Sequence, residues 1–293
     1  MLDFKILKKI KNLIYYKNLN KKYRKSPVEP WAFIRVKNER QTIEQCLNSI
    51  LPVIKKGVIG YQSLSEDEID DGTEQYVLEF CRKNKGYIPY KYEYEVIPAN
   101  DIRYLNIEKV KKENRLDSFY NAVLEKIPKD EWLIKIDCDH IYDTEKLKKL
   151  MYLPKEENDV ISFSRFNLHY MNNELYVLKN NYIVDPGDHW LIKNKDIFFD
   201  FKINNENGRF YAWEQINLMD KIKKKEVNFY HTDLFNWHFP FLKNSRTISK
   251  ENLIEFKKFK FTYFDKLFYH ISKDMYDINK ILNYLNNVKE EKN

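Results

Sequence analysis

The sequence predicts an α/β fold with a mostly parallel central sheet flanked by helices. Up to about residue 155, short apolar segments of strand type alternate with amphipathic segments of helix type, which is the pattern of βαβ units. One of these strands, Trp132–Ile136, runs directly into Asp137-Cys138-Asp139. Ligands of open α/β sheets bind at the carboxyl ends of strands, so this triplet is the first candidate site.

The elements of this first part follow from the spacing of apolar residues. After an extended segment at 26–30, strands are expected at 31–36, 58–61, 92–97 and 132–136. Helices are expected at 43–51, 73–82, 116–127 and 144–151. In the first helix, apolar residues recur with the helical period at Ile43, Cys46, Leu47 and Ile50. Asp143 is the expected N-cap of the last one.

The chain after residue 155 has a different pattern. Strands are expected at 160–164 and 174–178, around a turn at Asn172-Asn173, and again at 189–193 and 227–231. A helix is expected at 214–224, and from about 249 onward the sequence predicts helices with aromatic faces.

Composition excludes several classes of protein. Only 6 of 293 residues are glycine, and the glycine-rich phosphate-binding motifs are missing from the sequence. The three cysteines, Cys46, Cys81 and Cys138, fit a reducing compartment better than a disulfide framework or a zinc finger. No apolar run reaches the ~20 residues that span a bilayer, and no signal-peptide core is visible. We therefore expect a cytoplasmic protein.

The net charge of +7 is uneven, because residues 1–25 contain nine basic residues and one acid. On a helical wheel, Leu2, Ile6, Ile10 and Leu13 share one side of this segment. Such a helix either lies on an anionic membrane surface or packs on the domain with solvated lysines, and both alternatives stay open. No nucleic-acid-binding module accompanies the charge, so nucleic acid is not an expected partner.

The triplet Asp137-Cys138-Asp139 is the candidate metal-binding site. Alternating carboxylates on a tight turn, Asp137 and Asp139, can hold a hard divalent cation, Mn²⁺ or Mg²⁺, which in turn holds a diphosphate. As a Lewis acid, the cation neutralises charge on a departing nucleoside diphosphate. The alternative is a loop of helix-capping acids, although Asp143 already serves the next helix. The pattern favours a metal-dependent transferase with a nucleotide-activated donor.

Longer motifs point to a family. Segment 30–51, PWAFIRVKNERQTIEQCLNSIL, has the strand, Asn-Glu loop and helix that open many nucleotide-sugar transferases of the GT-A fold. Over residues 26–245 the sequence resembles the β-1,4-N-acetylgalactosaminyltransferases of Campylobacter lipo-oligosaccharide synthesis. The resemblance is carried by SPVEPWAFIRVKNE, SILPVIKKGVIGY, IPKDEWLIKIDCDHIYD, DPGDHWLI and HFPFLK. It implies a GT-A-like fold and inverting transfer of GalNAc from UDP-GalNAc to a galactose, often sialylated, of the outer core.

Charge, periodicity and the resemblance together divide the chain into four parts. Residues 1–25 are the basic amphipathic helix, 26–155 bind the nucleotide sugar, 156–248 bind the acceptor and carry catalysis, and 249–293 form a helical C-terminal extension. The expected partners are the UDP-sugar and the lipo-oligosaccharide acceptor. The two ends of the chain are expected to contact the anionic inner face of the bacterial inner membrane, or to associate in a homodimer.

The usual pattern of the GT-A fold assigns the metal ligands. Asp139 is expected to bind the cation directly, and Asp137 to contact the ribose or a metal-bound water. A third ligand is expected from a histidine late in the domain: His238 in NWHFP, with His231 as the alternative. Either histidine can equally be a structural hydrogen-bonding residue.

An inverting transfer needs one general base for the acceptor hydroxyl, and we expect Glu214 in this role. The prediction depends on Glu214 lying at the start of the helix at 214–224, where an acid also simply complements the helix dipole. Asp188 is the alternative base. Asp188 and Trp190 are otherwise expected to back the donor sugar.

The remaining expected contacts surround the donor. Around the first strand and the helix before the triplet these are Arg35, Lys37, Glu39, Arg115 and Asn121. Lys243 lies in a basic loop, 243–246, that is expected either to close over the diphosphate or to be solvated. The acidic segment after Tyr61 departs from the family pattern, which leaves the uracil contact open among Gln62, Asp70 and Asp71. Tyr170, Tyr176 and Trp190 are interpreted as an acceptor platform or as core.

Other functions remain as alternatives. One is a transferase of a different UDP-hexose, UDP-GlcNAc among them, in surface glycan synthesis, or a nucleotidyltransferase. Another is a non-catalytic carbohydrate- or membrane-binding relic of the same fold. The joint presence of Asp137, Asp139, Glu214 and His238 argues against a relic, because a decayed site is expected to lose some of them.

Overall fold

The structure is a computed structural model that describes residues 24–62, 70–99, 101–184, 189–206, 209–242 and 247–286. The predicted basic helix at 1–25 lies almost wholly outside the described residues. Among the described ones, no helix combines the length and apolar character that crossing a bilayer requires.

A seven-stranded sheet forms the centre of the molecule. It consists of β1 (Trp31–Val36), β2 (Lys56–Gln62), β3 (Tyr87–Tyr92), β4 (Trp132–Ile136), β6 (Asp159–Ser162), β10 (Trp190–Lys193) and β13 (Asn228–His231). The strand order is β13-β6-β10-β4-β1-β2-β3, and only β10 runs antiparallel to its neighbours. The predicted α/β fold with a mostly parallel, GT-A-like sheet is confirmed.

Helices cover both faces of this sheet. Their bounds are α1 (Arg40–Ile50), α2 (Thr73–Lys83), α3 (Leu116–Leu124), α4 (Thr144–Leu150) and α5 (Leu218–Lys223). Two further helices, α6 (Tyr263–Phe268) and α7 (Ile278–Asn286), pack in a separate core formed with the C-terminal part of the chain. Side chains of β1 alternate between the faces: Ile34 packs with the buried stripe of α1, and Phe33 packs with Phe119 of α3. Asp143 caps α4, as predicted, by accepting a hydrogen bond from the backbone N–H of Lys146.

A second sheet joins the carboxyl end of β4. It contains β5 (His140–Tyr142), β7 (Arg165–Met171), β8 (Glu174–Leu178), β9 (Ile183–Val184), β14 (Asn236–His238) and β15 (Leu253–Glu255). Its order is β15-β8-β7-β14-β5, with β9 paired to β7. Trp237, fully buried, and Ile281 of α7 share its core, so the C-terminal part of the chain closes this sheet.

Three predictions of secondary structure are wrong. In the part from 249 onward, where only helices were expected, β15 is a strand that pairs with β8. The third strand is Tyr87–Tyr92 rather than 92–97, because β3 is an edge strand where Pro89 is tolerated. The predicted helix at 214–224 begins only at Leu218. Its first residues belong instead to β12 (Arg209–Ile216), which forms a hairpin with β11 (Phe199–Glu206). Strand pairing over eight residues outweighs the local helical pattern there.

Candidate metal and nucleotide site

The acidic triplet bridges the two sheets. Asp137 follows β4 of the large sheet, and Asp139 precedes β5 of the second one. The backbone N–H of His140 donates to the carbonyl of Asp137 at 3.1 Å, which closes a tight turn. The N–H of Phe239 donates to the carbonyl of Asp139 at 2.8 Å and ties the turn to the chain after β14. Cys138 points into the core with Cys46, so the two carboxylates face away from it.

His238 lies beside Asp139, as the predicted metal site requires. Its Nε2 is 3.3 Å from Oδ2 of Asp139, and its Nδ1 donates to Oδ1 of Asn167 at 2.7 Å. Asn167 is itself oriented, because its Nδ2 donates to the carbonyl of Asn181. His238 therefore carries its proton on Nδ1 and turns a bare Nε2 towards a carboxylate. Two lone pairs that face each other in a buried site call for a cation between them.

Two further histidines, which the sequence analysis missed, belong to the same cluster. His140 donates from Nδ1 to Oδ1 of Asp139 at 3.1 Å, and His189 places Nε2 3.0 Å from Oδ2 of Asp137. Candidate ligand atoms group as Asp139, His140 and His238, and as Asp137, His140 and His189, with the atoms of each group within 4.8 Å of one another. The signal was present in the sequence, since each histidine is adjacent to an acid in DCDH and GDHW.

The electrostatics keep the Asp137 carboxylate charged and the imidazoles of His140 and His238 neutral. Burial raises the pKa of Asp137, but Lys135, with Nζ 3.4 Å away, and His189 outweigh it and hold that pKa well below its usual range. Burial lowers the pKa of His140 and of His238, although Asp139 acts in the opposite direction on both. Deprotonated ligands are the state that binds a metal ion.

The distances also fit a divalent ion. Ligand atoms with bonds of ~2.1 Å lie ~3.0 Å apart when adjacent and ~4.2 Å apart when opposite in an octahedral ion. The nearest carboxylate–imidazole distances, 3.0 and 3.3 Å, are of this size. The Nε2 of His140 is buried and has no hydrogen-bond partner among the described residues. The residues present therefore suit a metal ion.

A pocket of about 290 Å³ lies at the carboxyl ends of β1 and β2. Its lining residues are Val36, Lys37, Asn38, Tyr61, Gln62, Asp70, Thr73, Glu74 and Lys91. The structure thus brings together Lys37, Gln62 and Asp70, three of the residues expected near the nucleotide. The Nε2 of Gln62 is buried without a hydrogen-bond partner in the part of the chain that the structure describes, so its amide can still donate to a ligand.

The Asp71 carboxylate already accepts hydrogen bonds from within the protein. The donors are the backbone N–H of Arg40 at 3.0 Å and the backbone N–H and hydroxyl of Thr73. It therefore caps the N-termini of both α1 and α2. Glu39, buried next to them, donates its backbone N–H to the Thr73 hydroxyl at 2.9 Å. Of the three candidates for the uracil contact, Gln62 and Asp70 remain.

Arg35 and Glu214 are electrostatically linked next to the triplet. The Arg35 guanidinium lies 4.5 Å over the ring of Tyr120 and donates to its hydroxyl at 3.0 Å. Burial lowers the pKa of Arg35, but Tyr120, Glu214 and Asp137 together hold it above the ordinary value. Glu214 also contributes, after burial, to the raised pKa of Tyr120. The charge of Glu214 thus acts on this pair, although the residue lies on strand β12 instead of at a helix N-terminus.

Three other residues expected near the donor, Trp190, Asn121 and Arg115, make contacts within the protein itself. Trp190 is 2% exposed and packs against Phe33 and Phe199, so the structure places its ring in the core rather than against a sugar. The amide of Asn121 accepts from the backbone N–H of Phe199 and donates to its carbonyl, which fastens β11 to α3. Arg115 forms a two-bond ion pair with Asp117. No contact of Asn121 or Arg115 supports a role at the donor.

The alternative ligand His231 lies outside both groups, with Ser164 Oγ 3.1 Å from its Nε2. Asp188 and Lys243 fall outside the described residues, and their predicted roles stay predictions. Tyr176 is buried core, and Tyr170 packs against the core of the second sheet.

A second pocket opens beside His238. It measures about 490 Å³ and is lined by Arg165, Asn167, Leu178, Asn180, Asn181, Val184, His238, Pro240, Phe241, Thr247, Ile248, Ser249 and Asn252. Amide, hydroxyl and guanidinium groups beside apolar side chains suit a sugar, which has both hydroxyls and an apolar face. The cation site thus lies at the edge of a pocket large enough for a sugar.

Comparison with known families identifies the chain. The family-wide sequence model described as Beta-1,4-N-acetylgalactosaminyltransferase (CgtA) matches residues 5–287. The match extends over nearly all of the 293 residues, so the chain belongs to this family and is a glycosyltransferase. Its donor is therefore a sugar nucleotide. No curated protein matches the chain.

Proposed function

We propose that this member of the β-1,4-N-acetylgalactosaminyltransferase family is a metal-dependent, inverting enzyme of lipo-oligosaccharide synthesis. It transfers GalNAc from UDP-GalNAc to a galactose of the outer core, sialylated in some acceptors, and forms a β-1,4 linkage. The observation that carries the proposal is the cluster of Asp137, Asp139 and His238 at the carboxyl end of β4. It lies where an open α/β sheet binds its ligand.

Each group in the site has a role in this reaction. Asp139 and His238 would hold the divalent cation, Mn²⁺ or Mg²⁺, and Asp137 would contact the ribose or a metal-bound water. When bound, the cation neutralises charge on the diphosphate. Lys37, with Gln62 or Asp70, binds the nucleoside in the pocket at β1 and β2. Arg35 is fixed by Tyr120 close to the triplet and supplies a positive charge that does not titrate.

Glu214 is the proposed general base. The acceptor 4-hydroxyl attacks the anomeric carbon in line with the departing UDP; the new C–O bond forms as the bond to the diphosphate breaks. The hydroxyl proton passes to the Glu214 carboxylate. Support comes from the position of Glu214 on β12, where its charge acts on Arg35 and Tyr120.

We further propose that the protein acts peripherally on the inner face of the bacterial inner membrane. Support comes from α6, which carries Tyr263, Phe264 and Leu267 on one side. These residues are 74%, 63% and 36% exposed to solvent. Exposed lysines at 257, 260 and 266 flank these side chains. Aromatic rings beside basic residues are typical of surfaces that enter the headgroup region of an anionic bilayer.

A UDP-release assay with a panel of UDP-sugars tests the reaction. With Mn²⁺ and a galactose-terminated acceptor, UDP-GalNAc should support the highest rate, and Asp139→Asn should abolish it. The proposal fails if no UDP-sugar supports turnover while Asp139→Asn and the parent bind UDP equally well with Mn²⁺. Preference for another UDP-sugar would keep the transferase and change the donor.

A further inference from the structure

Arg165 connects the pocket beside His238 with the acidic triplet through a single histidine. It is the only permanently charged side chain among the described residues that line this pocket. It also contacts His189, which in turn contacts Asp137. We propose that Arg165 and His189 are positioning residues that hold Asp137 for the donor, so that a residue of the acceptor pocket sets the affinity for the nucleotide. The inference rests on the proposed function, because it takes this pocket as the acceptor site.

The contact between Arg165 and His189 fixes which nitrogen of the imidazole is protonated. Nδ1 of His189 lies 3.4 Å from Nη1 of Arg165. A guanidinium only donates, so Nδ1 accepts and Nε2 carries the proton. Arg165 and Asn167 are two residues apart on β7 and therefore face the same side of the second sheet. From that side, Arg165 orients His189 in the way that Asn167 orients His238.

The contact between His189 and Asp137 brings the protonated nitrogen to the triplet. Nε2 of His189 is 3.0 Å from Oδ2 of Asp137, although the geometry is not that of an ideal hydrogen bond. Nζ of Lys135 is 3.4 Å from the same oxygen. Two donors thus hold the Asp137 carboxylate at one oxygen. Its side chain is still 26% exposed, so the carboxylate that they hold remains accessible to a ligand.

The His189 imidazole has little freedom to turn by itself. The residue is 2% exposed, and its ring centroid lies 4.6 Å from that of His140 and 5.5 Å from that of Phe163. Its backbone carbonyl accepts a hydrogen bond from the N–H of Phe163 at 3.2 Å. Close-packed side chains transmit strain, so a ring confined in this way passes the position of Arg165 on to Asp137.

These contacts predict how two substitutions change nucleotide binding. Arg165→Ala removes the donor to Nδ1, and water from the pocket can then reorient the ring. His189→Ala removes the contact with Asp137 itself. Each should weaken the binding of UDP in the presence of Mn²⁺ by at least ~10-fold, as expected for residues that orient the groups of a metal site. Neither residue lines the pocket at β1 and β2, so a direct contact with the nucleoside does not explain such a loss.

Calorimetry of the full chain with UDP and Mn²⁺ tests whether the two residues act as a unit. Because Arg165 acts through His189, the double variant Arg165→Ala/His189→Ala should bind UDP within ~2-fold of His189→Ala alone. His231→Ala is the matched control and should bind UDP as the parent does, since His231 contacts Ser164 and lies outside both groups of candidate ligands. Unchanged UDP affinity in a folded Arg165→Ala protein, or losses that add in the double variant, would overturn the inference.

A second measurement needs neither nucleotide nor turnover. Nitrogen-15 NMR of histidine-labelled protein, with the His189 signals assigned by their loss in His189→Ala, should show the His189 proton on Nε2; a proton on Nδ1 would also overturn the inference. If UDP-GalNAc reacts and Arg165→Ala binds UDP as the parent does, only the inference fails. If the variants bind UDP as expected and no UDP-sugar reacts, the proposed function fails and the positioning of Asp137 stands.

Discussion

Asn167 offers the sharpest test of how the second sheet prepares the metal site. It touches neither carboxylate, yet its Oδ1 accepts the hydrogen bond that fixes the tautomer of His238. Asn167→Ala would leave the Nδ1–H of His238, which is 8% exposed, without its partner. Leaving a buried donor unsatisfied costs about 1–3 kcal/mol. A flip of the His238 imidazole would relieve part of that cost. The flipped ring, however, no longer presents Nε2 to the ion.

We therefore expect Asn167→Ala to weaken binding of Mn²⁺ or Co²⁺ by ~10- to 100-fold, the range found for residues that orient metal ligands. Calorimetry in the absence of nucleotide measures this directly. Asn167→Asp should retain binding, because a carboxylate at the same position still accepts from Nδ1. Asn180→Ala is the control, since Asn180 lines the same pocket but is exposed and does not contact His238 through any described hydrogen bond.

A different result would refute the reasoning. If folded Asn167→Ala binds the ion within about two-fold of the parent, His238 does not need Asn167 to present Nε2. If Asn167→Asp is as weak as Asn167→Ala, the effect comes from packing in the pocket. Near-ultraviolet circular dichroism separates both cases from misfolding.

Four further predictions concern other parts of the chain. Glu214→Gln should lower kcat by ~10²–10⁴-fold and leave UDP binding unchanged. The control, Asp200→Asn on the same hairpin, should leave kcat unaltered. If Glu214→Gln stays active, another residue is the general base. Burial, and then the charge of Asp274, raises the pKa of Asp233 to about 7. The folded state therefore keeps a proton that the unfolded state releases near pH 4, so the free energy of unfolding should fall as the pH rises from about 4 to 7. In urea titrations, Asp233→Asn should remove this pH dependence of stability. A Cβ at Gly60 would overlap Val123 of α3, so Gly60→Ala should cost about 1–3 kcal/mol in the same titrations, and an unchanged midpoint would contradict this packing. Replacing Tyr263, Phe264 and Leu267 by serine should reduce sedimentation of the protein with phosphatidylglycerol vesicles at least ~10-fold. The control replaces Ile102 and Leu105, which are exposed beside an Arg103 that is already paired with two acids, and it should not reduce sedimentation. Equal losses in both variants would show that the effect is not specific to α6.

Local sequence patterns predicted the part of the molecule in which contacts are local. The βαβ units up to α4 were predicted because each helix carries its own stripe, such as Ile43, Cys46, Leu47 and Ile50, all of which are fully buried. The triplet was found for the same reason, since a buried strand and its terminal acids are adjacent in sequence. From the second half, the metal ligand His238 and the general base Glu214 were proposed from the usual pattern of the fold rather than from spacing.

The prediction was weakest where pairing is distant in sequence. Strands β5, β7, β11 and β14 were missed, and three of these build the second sheet. The pairing that joins the second sheet is distant in sequence: β14 pairs with β5, about a hundred residues earlier, and with β7. No periodicity within a short segment reports such a partner, and β-propensity depends on neighbours. Glu214 was misplaced for another reason: its strand pairs with the adjacent β11 in a hairpin, and this pairing outweighs the local helical pattern.

The position of the triplet explains why histidines from both halves of the chain meet there. Strand β4 of the large sheet leads into Asp137, and β5 of the second sheet begins at His140, so the tight turn between them passes directly from one sheet to the other. Register then places His238 directly opposite His140 and beside Asn167, through the pairing of β14 with β5 and β7. The ligand set is thus a consequence of strand pairing. A substitution that shifts the register of β14 by one residue would turn His238 away from Asp139 and should abolish metal binding without touching a ligand.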